Sequence, residues 1–228
     1  MTSIALIGPG RHGTVIAQGL VAHGAELHLY HHRPAKARAA AAAIESHAKN
    51  GGSVTVAASA AEAVAAADVV FLTTLWDAPQ RQVIGELGEA LVGKILVDIS
   101  NPLDVTPAGI MMRQPAEGSA GQFVATLLPA GTGHVKVFSN VPTAAILTAS
   151  DKTPPAVLPF LADSDETAAR IRPVLELTGW QPWYAGDISR SAELEIGGPF
   201  NRIQGRWGRA AADAAQIEAL DGPERRTA

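Results

Sequence analysis

The sequence predicts an α/β fold, a doubly wound and mostly parallel sheet with a small helical portion at its C-terminal end. Two observations predict it. Short apolar runs alternate with helix-patterned stretches from the first residues onward, and sequential parallel strands need right-handed crossover helices between them. The chain has 228 residues, 47% hydrophobic and 18% charged, which is enough to bury a large core.

The elements follow in order. Ser3 to Ile7 reads as a buried strand and Gly13 to His23 as a helix. Glu26 to Tyr30 is a second strand. Ala35 to Lys49 is an Ala-rich helix closed by Asn50-Gly51-Gly52. Val54 to Ala57 is a short strand, and Ser59 opens a short helix over Ala60 to Ala67. Asp68 to Thr74 is the fourth strand, Pro79 to Leu91 a helix, and Lys94 to Ile99 the fifth strand. Residues 101–122, rich in Pro, Gly and Ser, read as a long functional or mobile loop. A short helix over Gln122 to Leu128 and strands over Val135 to Phe138 and Ala156 to Leu161 come next. Asp165 to Leu177 is a helix and Pro182 to Ala185 a last strand. Ser189 to Ile196 and Arg202 to Leu220 are helices split by Gly197-Gly198-Pro199, with a frayed tail from Asp221. These elements divide into a nucleotide-binding domain over residues 1–186 and a small helical segment over 187–228.

Composition excludes several classes of function. Eighteen Lys and Arg against 22 Asp and Glu give a net charge of -4, which disfavours a broad nucleic-acid surface but leaves room for one basic pocket. The chain has no cysteine, so thiolate catalysis, disulfides and thiolate metal sites are absent. No apolar run approaches the roughly 18 residues that span a bilayer, and the N-terminus lacks the pattern of a signal peptide. The expectation is a cytoplasmic protein without membrane or nucleic-acid partners.

The chemistry begins at Gly8-Pro9-Gly10-Arg11-His12-Gly13, which fits G-x-G-x-x-G between a strand and a helix. In that setting Gly8 permits the tight turn and Gly10 lets a pyrophosphate approach the backbone. Gly13 lets helix and strand pack closely. The helix N-terminus offers free N–H groups and partial positive charge to the phosphates. The alternative is a Gly-rich turn without a ligand, and the position of the motif inside a βαβ unit favours the dinucleotide.

An NAD site carries Asp or Glu about 20 residues on, at the end of the second strand. Here that strand runs into His31-His32-Arg33, with Lys36 a turn later and no carboxylate. A 2′-phosphate needs donors and positive charge, and Arg33 and Lys36 supply both, with hydrogen bonds from His31 and His32. Arg11 can reach the same ribose. The pattern therefore favours NADP(H) over NAD.

At this point the residues resemble the NADPH-dependent coenzyme F420 reductases, a family that shares this domain with the reductase module of membrane ferric reductases. The matching stretches are Ile4 to Gly10, His31-His32-Arg33 with Lys36, Asp68 to Trp76, Leu96 to Leu103, Lys136 to Asn140, Pro159 to Asp165 and Gly186 to Glu195. The resemblance implies a Rossmann domain with a small C-terminal portion, a homodimer, and hydride passing directly between NADPH and a flavin or deazaflavin. It implies that His31, His32, Arg33 and Lys36 meet the 2′-phosphate. Thr73, Thr74, Leu75 and Trp76 would line the ribose and nicotinamide side, and Ser100, Asn101 and Pro102 would lie beneath the nicotinamide. The acceptor is then a small molecule, coenzyme F420 or FMN/FAD. The chain departs from the family's pattern at three places: His31-His32 replaces the common Ser-Arg, Ser139 stands at the usual Asn, and Gly197-Gly198-Pro199 with Arg202, Arg206 and Arg209 follows Glu195.

Other chemistries are weaker. His134, before a predicted strand, reads as a structural residue or as a general acid. Lys94 falls at a turn and Lys136 begins a strand. No Lys stands on an apolar helix with an Asn one turn later, as a hydroxyacid dehydrogenase requires. Ring-to-ring hydride transfer needs positioning and dry walls, so no ionisable catalytic residue is expected. His28, His31 and His32 lack a carboxylate partner, and no metal is expected. Asp163, Asp165 and Glu166 fit a helix start. Trp76 is either a nicotinamide wall or core, and Trp180, Trp183 and Tyr184 are core or interface. Arg202, Arg206 and Arg209 form either a solvated helix face or an anion site. The competing functions are an NADP-dependent imine or 3-hydroxyacid dehydrogenase, for which the residues after Ser189 are too few to build the needed helical domain, and a non-catalytic NADP-binding sensor.

Overall fold

A computed structural model describes residues 2–150, 156–202 and 205. Strand and helix alternate through β1 (Ser3–Ile7), α1 (Arg11–Ala22), β2 (Glu26–Tyr30), α2 (Pro34–Glu45), β3 (Ser53–Val56), α3 (Ala60–Ala65), β4 (Val69–Leu72), α4 (Ala78–Leu87) and β5 (Ile95–Asp98). Then come a hairpin of β6 (Leu103–Thr106) and β7 (Gly109–Met112), α5 (Ala120–Ala125), β8 (Gly133–Lys136) and α6 (Ile146–Ser150). The chain continues with β9 (Val157–Ala162), α7 (Asp165–Glu176), β10 (Gln181–Tyr184) and α8 (Ser191–Leu194).

Eight strands form one sheet in the order β10-β9-β8-β5-β4-β1-β2-β3. All neighbours are parallel except β8 and β9, so the doubly wound class holds. Parallel central strands have both faces covered, and β1, β4 and β5 accordingly carry near-continuous apolar runs. Alternate residues serve opposite layers. Ile4 and Leu6 of β1, with Val69 and Phe71 of β4, pack with Ile16 and Leu20 of α1 and Ile44 of α2. Ala5 and Ile7, with Val70 and Leu72, pack with Val64 of α3, Ile84 of α4 and Phe123 of α5. The helices begin where capping residues allow: Ser59, Ser119 and Ser164 each accept the N–H three residues on.

Several sequence expectations are corrected. Residues 101–122 are not one long loop but contain the antiparallel β6–β7 ribbon, whose Val105, Ile110, Met111 and Met112 are exposed. The helix expected to run to Lys49 stops at Glu45. There the chain must turn back onto α1, where the Lys49 N–H and the Asn50 side chain bond to Val21 O and Ala22 O. At Gly52 a Cβ would stand 2.0 Å from Val21 O, so only glycine fits that contact. The fourth and fifth strands are shorter than read, and the helix of Ser189 to Ile196 is a 3-10 turn over Ile188–Arg190 followed by the single turn of α8. A 3-10 turn over Thr143–Ala145 and α6 were not foreseen. The helix expected over Arg202 to Leu220 lies outside the described residues beyond Arg202 and Gly205. Within the described part of the C-terminal segment, Ile188, Leu194 and Phe200 bury against Val157, Leu161 and Trp183. Trp180 and Trp183 are core residues, with Trp180 edge-on to Phe138 at 6.4 Å.

Strand β8 starts two residues earlier than expected, because Gly133 pairs with Ile95. His134 and Lys136 therefore lie within the sheet and are buried, not ahead of it or at its start. Neither ring nitrogen of His134 has a partner. Burial holds its pKa down to about 4, Asp98 and Asp163 pulling it up and Lys136 pushing it down. Among the described residues no helix is long and apolar enough to cross a membrane.

The buried, neutral His134 makes the fold acid-sensitive. Above pH 6.5 neither folded nor unfolded chain protonates it. As pH falls from 6.5 toward 4, only the unfolded chain takes up the proton, and stability is lost over that window. At about 1.4 kcal/mol per pH unit the loss approaches about 3 kcal/mol. Urea unfolding at pH 7.5 and 4.5 should show this loss, and His134→Leu should flatten it.

Candidate nucleotide and acceptor cleft

The parallel strands end level. Ile7 is opposite Tyr30 and Leu72, Leu72 is opposite Asp98, and Asp98 is opposite Lys136. Strand order reverses between β1 and β4, and a crevice opens beyond their carboxyl ends, the place where such sheets bind ligands.

The phosphate loop sits in that crevice, and its three glycines play distinct roles. Gly8 has φ +69° and donates its N–H to Tyr30 O at 2.8 Å. A Cβ there would lie 2.4 Å from Thr74 Cγ2, and at Gly13 it would lie 2.6 Å from Thr73 Cβ. At Gly10 a Cβ would meet nothing within 4 Å. Gly8 and Gly13 are thus required by the protein's own packing, whereas Gly10 borders open space. Gly10 is the N-cap of α1, without a capping side chain and without an acid in the first turn. The first-turn N–H groups of α1 remain available to an anion. Pro9 is buried and Arg11 is exposed beside them.

His12 turns the other way. Its Nε2 bonds to Phe138 O at 3.2 Å and its Nδ1 to the Thr143 hydroxyl at 2.8 Å. A carbonyl only accepts, so Nε2 carries the proton and Nδ1 accepts from Thr143. Burial lowers the His12 pKa, which keeps the ring neutral.

Beyond β2, His31 and His32 stack with ring centroids 4.6 Å apart. The Arg33 N–H donates to His31 Nδ1 at 3.0 Å, which leaves the proton of the neutral ring on Nε2. Burial lowers the His31 pKa first, then the positive neighbours His32, Lys36 and Arg33. The first turn of α2 has no acid, and Arg33 caps it through backbone alone. The four residues make a small basic patch at the rim of the crevice.

A cleft of about 270 Å³ opens from the phosphate loop across the ends of β4, β5 and β8. His12, Thr73, Thr74, Leu75, Trp76, Ser100 and Asn101 line it, seven of the residues singled out from sequence. The basic patch does not line it. Pro102 does not line it either: it is buried, and its carbonyl accepts the Arg113 N–H, holding the ribbon base. Sequence reasoning missed Ile99, Leu103, Val105, Phe138, Val141, Pro142, Thr143, Ile196 and Asn201. Phe138 adopts φ +62°, rare for a bulky side chain and concentrated at functional sites. Trp76 is buried against Phe123, and its Nε1, like Thr74 Oγ1 and Ser139 Oγ, has no protein partner. Three buried polar groups without partners along one cleft fit a polar ligand.

Asn101 ties the cleft walls together: Nδ2 donates to Ser139 O at 2.9 Å and Oδ1 accepts from Ile196 N at 2.8 Å. Beneath Ser100 lies an ion cluster that sequence analysis did not find. Lys136 Nζ donates to Asp98 Oδ2 and to Ser100 O, each at 2.7 Å, and lies 3.3 Å from Glu195 Oε1. Asp98 Oδ1 accepts from Ser100 N and Gln80 Nε2. Burial raises the Asp98 pKa, but Lys136, His134 and the Ser100 N–H outweigh it, and the carboxyl titrates below its ordinary range. Arg202 lays its guanidinium over Trp180 at 5.2 Å; Arg206 and Arg209 lie outside the described residues. Asp163 accepts the His134 N–H and Asp165 begins α7, in keeping with a helix start. Among the described residues no group of three His, Asp or Glu is placed to hold a metal ion.

Fold and cleft together define a Rossmann-type dinucleotide-binding domain. Residues 3–102, from β1 to just past β5, match the family described as NADP oxidoreductase, coenzyme F420-dependent. That match spans the nucleotide-binding half of the sheet, and over it the chain is similar to NADP-dependent oxidoreductases. By sequence, no curated protein matches it. Among solved structures it is similar to a hypothetical protein of Sinorhizobium meliloti, with 23% identity, 87% of this chain and 92% of the other covered, and a TM-score of 0.71. It is also similar to an assigned F420-dependent NADP reductase of Arthrobacter sp. FB24, with 23% identity, 84% and 87% covered, and a TM-score of 0.65. The 3-hydroxyisobutyrate dehydrogenase of Mycobacterium tuberculosis shares 25% identity over 83% of this chain but only 56% of its own length, with a TM-score of 0.58. At these identities the structural likenesses speak for the fold.

The contacts at Gly13 give a direct test of the loop packing. Gly13→Ala drives a Cβ into Thr73 and should cost about 1–3 kcal/mol, a fall of several degrees in melting temperature. Gly10→Ala, facing open space, should stay within about 0.5 kcal/mol of wild type. Thermal melts of the two variants side by side decide the matter.

Proposed function

We propose that the protein passes hydride directly between NADP(H) in the crevice and a flavin or deazaflavin, such as coenzyme F420 or FMN/FAD, in the adjoining cleft. The α1 N-terminus with Gly8, Pro9, Gly10 and Gly13 holds the pyrophosphate, and Arg11 lies alongside. His31, His32, Arg33 and Lys36 take the 2′-phosphate. Thr73 to Trp76 face the ribose and nicotinamide, with Ser100 and Asn101 beneath the ring. The open space at Gly10 and the orphaned Thr74, Trp76 and Ser139 groups fit such an occupant. NADP(H), when bound, supplies the hydride chemistry. The protein supplies alignment and apolar walls, which lower the barrier by fixing two rings at reacting distance.

The observation that carries this reading is the lining of the cleft. Among its described residues only His12 titrates, and both its ring nitrogens are already bonded. An alcohol or imine substrate asks for a positioned proton donor, and this lining offers none. That weighs against the imine or 3-hydroxyacid reading and suits transfer between two rings. His134, the residue once eligible as general acid, is not part of the lining. An assay of NADPH oxidation with coenzyme F420, FMN, FAD and riboflavin tests the proposal. Turnover with at least one of them is expected, and inertness toward all four leaves a nucleotide-binding sensor.

NADPH should bind at least tenfold more tightly than NADH, and Arg33→Ala should erase most of that difference, read by fluorescence titration of both nucleotides. Equal affinities in the wild type would remove the basic patch from the site. The single-turnover rate at saturating NADPH and acceptor should be nearly flat between about pH 6 and 8, since the ring nitrogens of His12, the titratable residue of the described lining, are both bonded within the protein. A bell-shaped profile would demand a proton donor.

A further inference from the structure

Asp98, Lys136 and Glu195 place two carboxylates around one ammonium, with side-chain exposures of 0%, 0% and 4%. Among the described residues the remaining bonds are to neutral groups. Gln80 and the Ser100 N–H serve Asp98, and the N–H groups of Ala120 and Gly121 serve Glu195 at 3.1 and 2.9 Å. His134 is neutral in the fold, and Asp163, which accepts the His134 N–H, is exposed to solvent. Among the described residues the cluster therefore holds one carboxylate more than it has ammonium groups, a formal charge of -1 in a buried site. Such a charge is weakly screened and reaches neighbouring groups. It connects to the cleft by hydrogen bonds through Ser100, whose N–H bonds Asp98 and whose carbonyl bonds Lys136 while the residue lines the floor.

We propose that this cluster is an electrostatic positioning device that favours the oxidised, cationic nicotinamide over the reduced, neutral one. The inference rests on the placement of the nicotinamide above Ser100 given under Proposed function. When reduced nicotinamide yields a hydride, two electrons and one proton leave together for the flavin-type acceptor. The ring changes from neutral to a charge of +1. A fixed negative charge beneath the floor stabilises that product and the partly positive ring on the way to it, with no reorganisation at the moment of transfer. Asp98, Lys136 and Glu195 touch neither ring, and they act through Ser100 and through the field. A neutral ion pair would hold Ser100 equally well. The second carboxylate, Glu195, is the part that hydrogen bonding of Ser100 does not require.

The test is binding, not turnover. Dissociation constants of NADP⁺ and NADPH are measured by calorimetry on the whole chain as wild type, Asp98→Asn and Glu195→Gln, with circular dichroism as the check of folding. Each variant removes one negative charge. Each should raise the ratio of the NADP⁺ constant to the NADPH constant about three- to tenfold. Arg33→Ala is the control: both nucleotides carry the 2′-phosphate, so both affinities fall and the ratio stays put. A cluster that is only structural would weaken both nucleotides in parallel, and an unchanged ratio in the two charge variants overturns the inference. Glu195→Gln keeps an amide oxygen for one of its backbone donors and so keeps the test open if Asp98→Asn does not fold. Should the wild type bind neither nucleotide, the functional reading fails, and that failure is separate from an unchanged ratio.

Discussion

The structure depends on how closely the phosphate loop lies against the end of β4. Two side-chain-free positions, Gly8 and Gly13, face two threonines, Thr74 and Thr73, at distances no Cβ would tolerate. Thr73 completes the contact by donating its N–H and its hydroxyl to Ile7 O at 2.9 and 2.8 Å. The ends of β1 and β4 are sewn together at the point where strand order reverses. From that seam follow the level strand ends, the direction of α1 into the crevice, and the wall from Thr73 to Trp76. Loosening it would displace the loop and the cleft wall together, since one set of contacts serves both.

Burial of charge is the second organising constraint. Removing an ammonium and two carboxylates from water is costly unless the polar atoms find partners. Here they do, through Ser100, Gln80 and the start of α5. The partners come from β5, β8, α4, α5 and the stretch after β10, so satisfying the charges draws distant parts of the chain to one place. Asn101 repeats the logic with neutral groups, joining the β5 and β8 loops to Ile196. At the floor, the Ser100 N–H and carbonyl are bonded inward, to Asp98 and Lys136.

Much of the fold was legible because its signals are local. The apolar runs of β1, β2 and β9 and the serine cap at 59 are read directly from residue order, as is the glycine spacing of the loop. The ribbon at residues 103–112 escaped because Pro, Gly and Ser around it imitate a loop, while its pairing is stabilised across strands. The start of β8 was misread for the same reason: Gly133 does not look like strand until Ile95 is beside it. Seven of the named site residues do meet in the cleft: His12 comes from the first turn of α1, and the other six follow the ends of β4 and β5, where the topology places them. Phe138, Val141, Thr143, Ile196 and Asn201 belong to loops whose return to the cleft no local pattern announces. The Asp98–Lys136–Glu195 cluster was hidden for a plain reason. Three charged residues separated by 38 and 59 positions carry no spacing signal, and each alone reads as surface.

The reversal of sense between β8 and β9 divides the molecule by tolerance to change. The carboxyl ends of β1, β4, β5 and β8 are committed to the cleft. The opposite end, with the turns at 92–94, 129–132 and 163–165, contributes nothing to the described lining. Ala130 and Gly131 are exposed there, and Gly131 receives only the Gly93 N–H at its carbonyl. That end is a natural handle, a place where a fused domain, a surface tether or an evolutionary insertion stays clear of the described cleft lining.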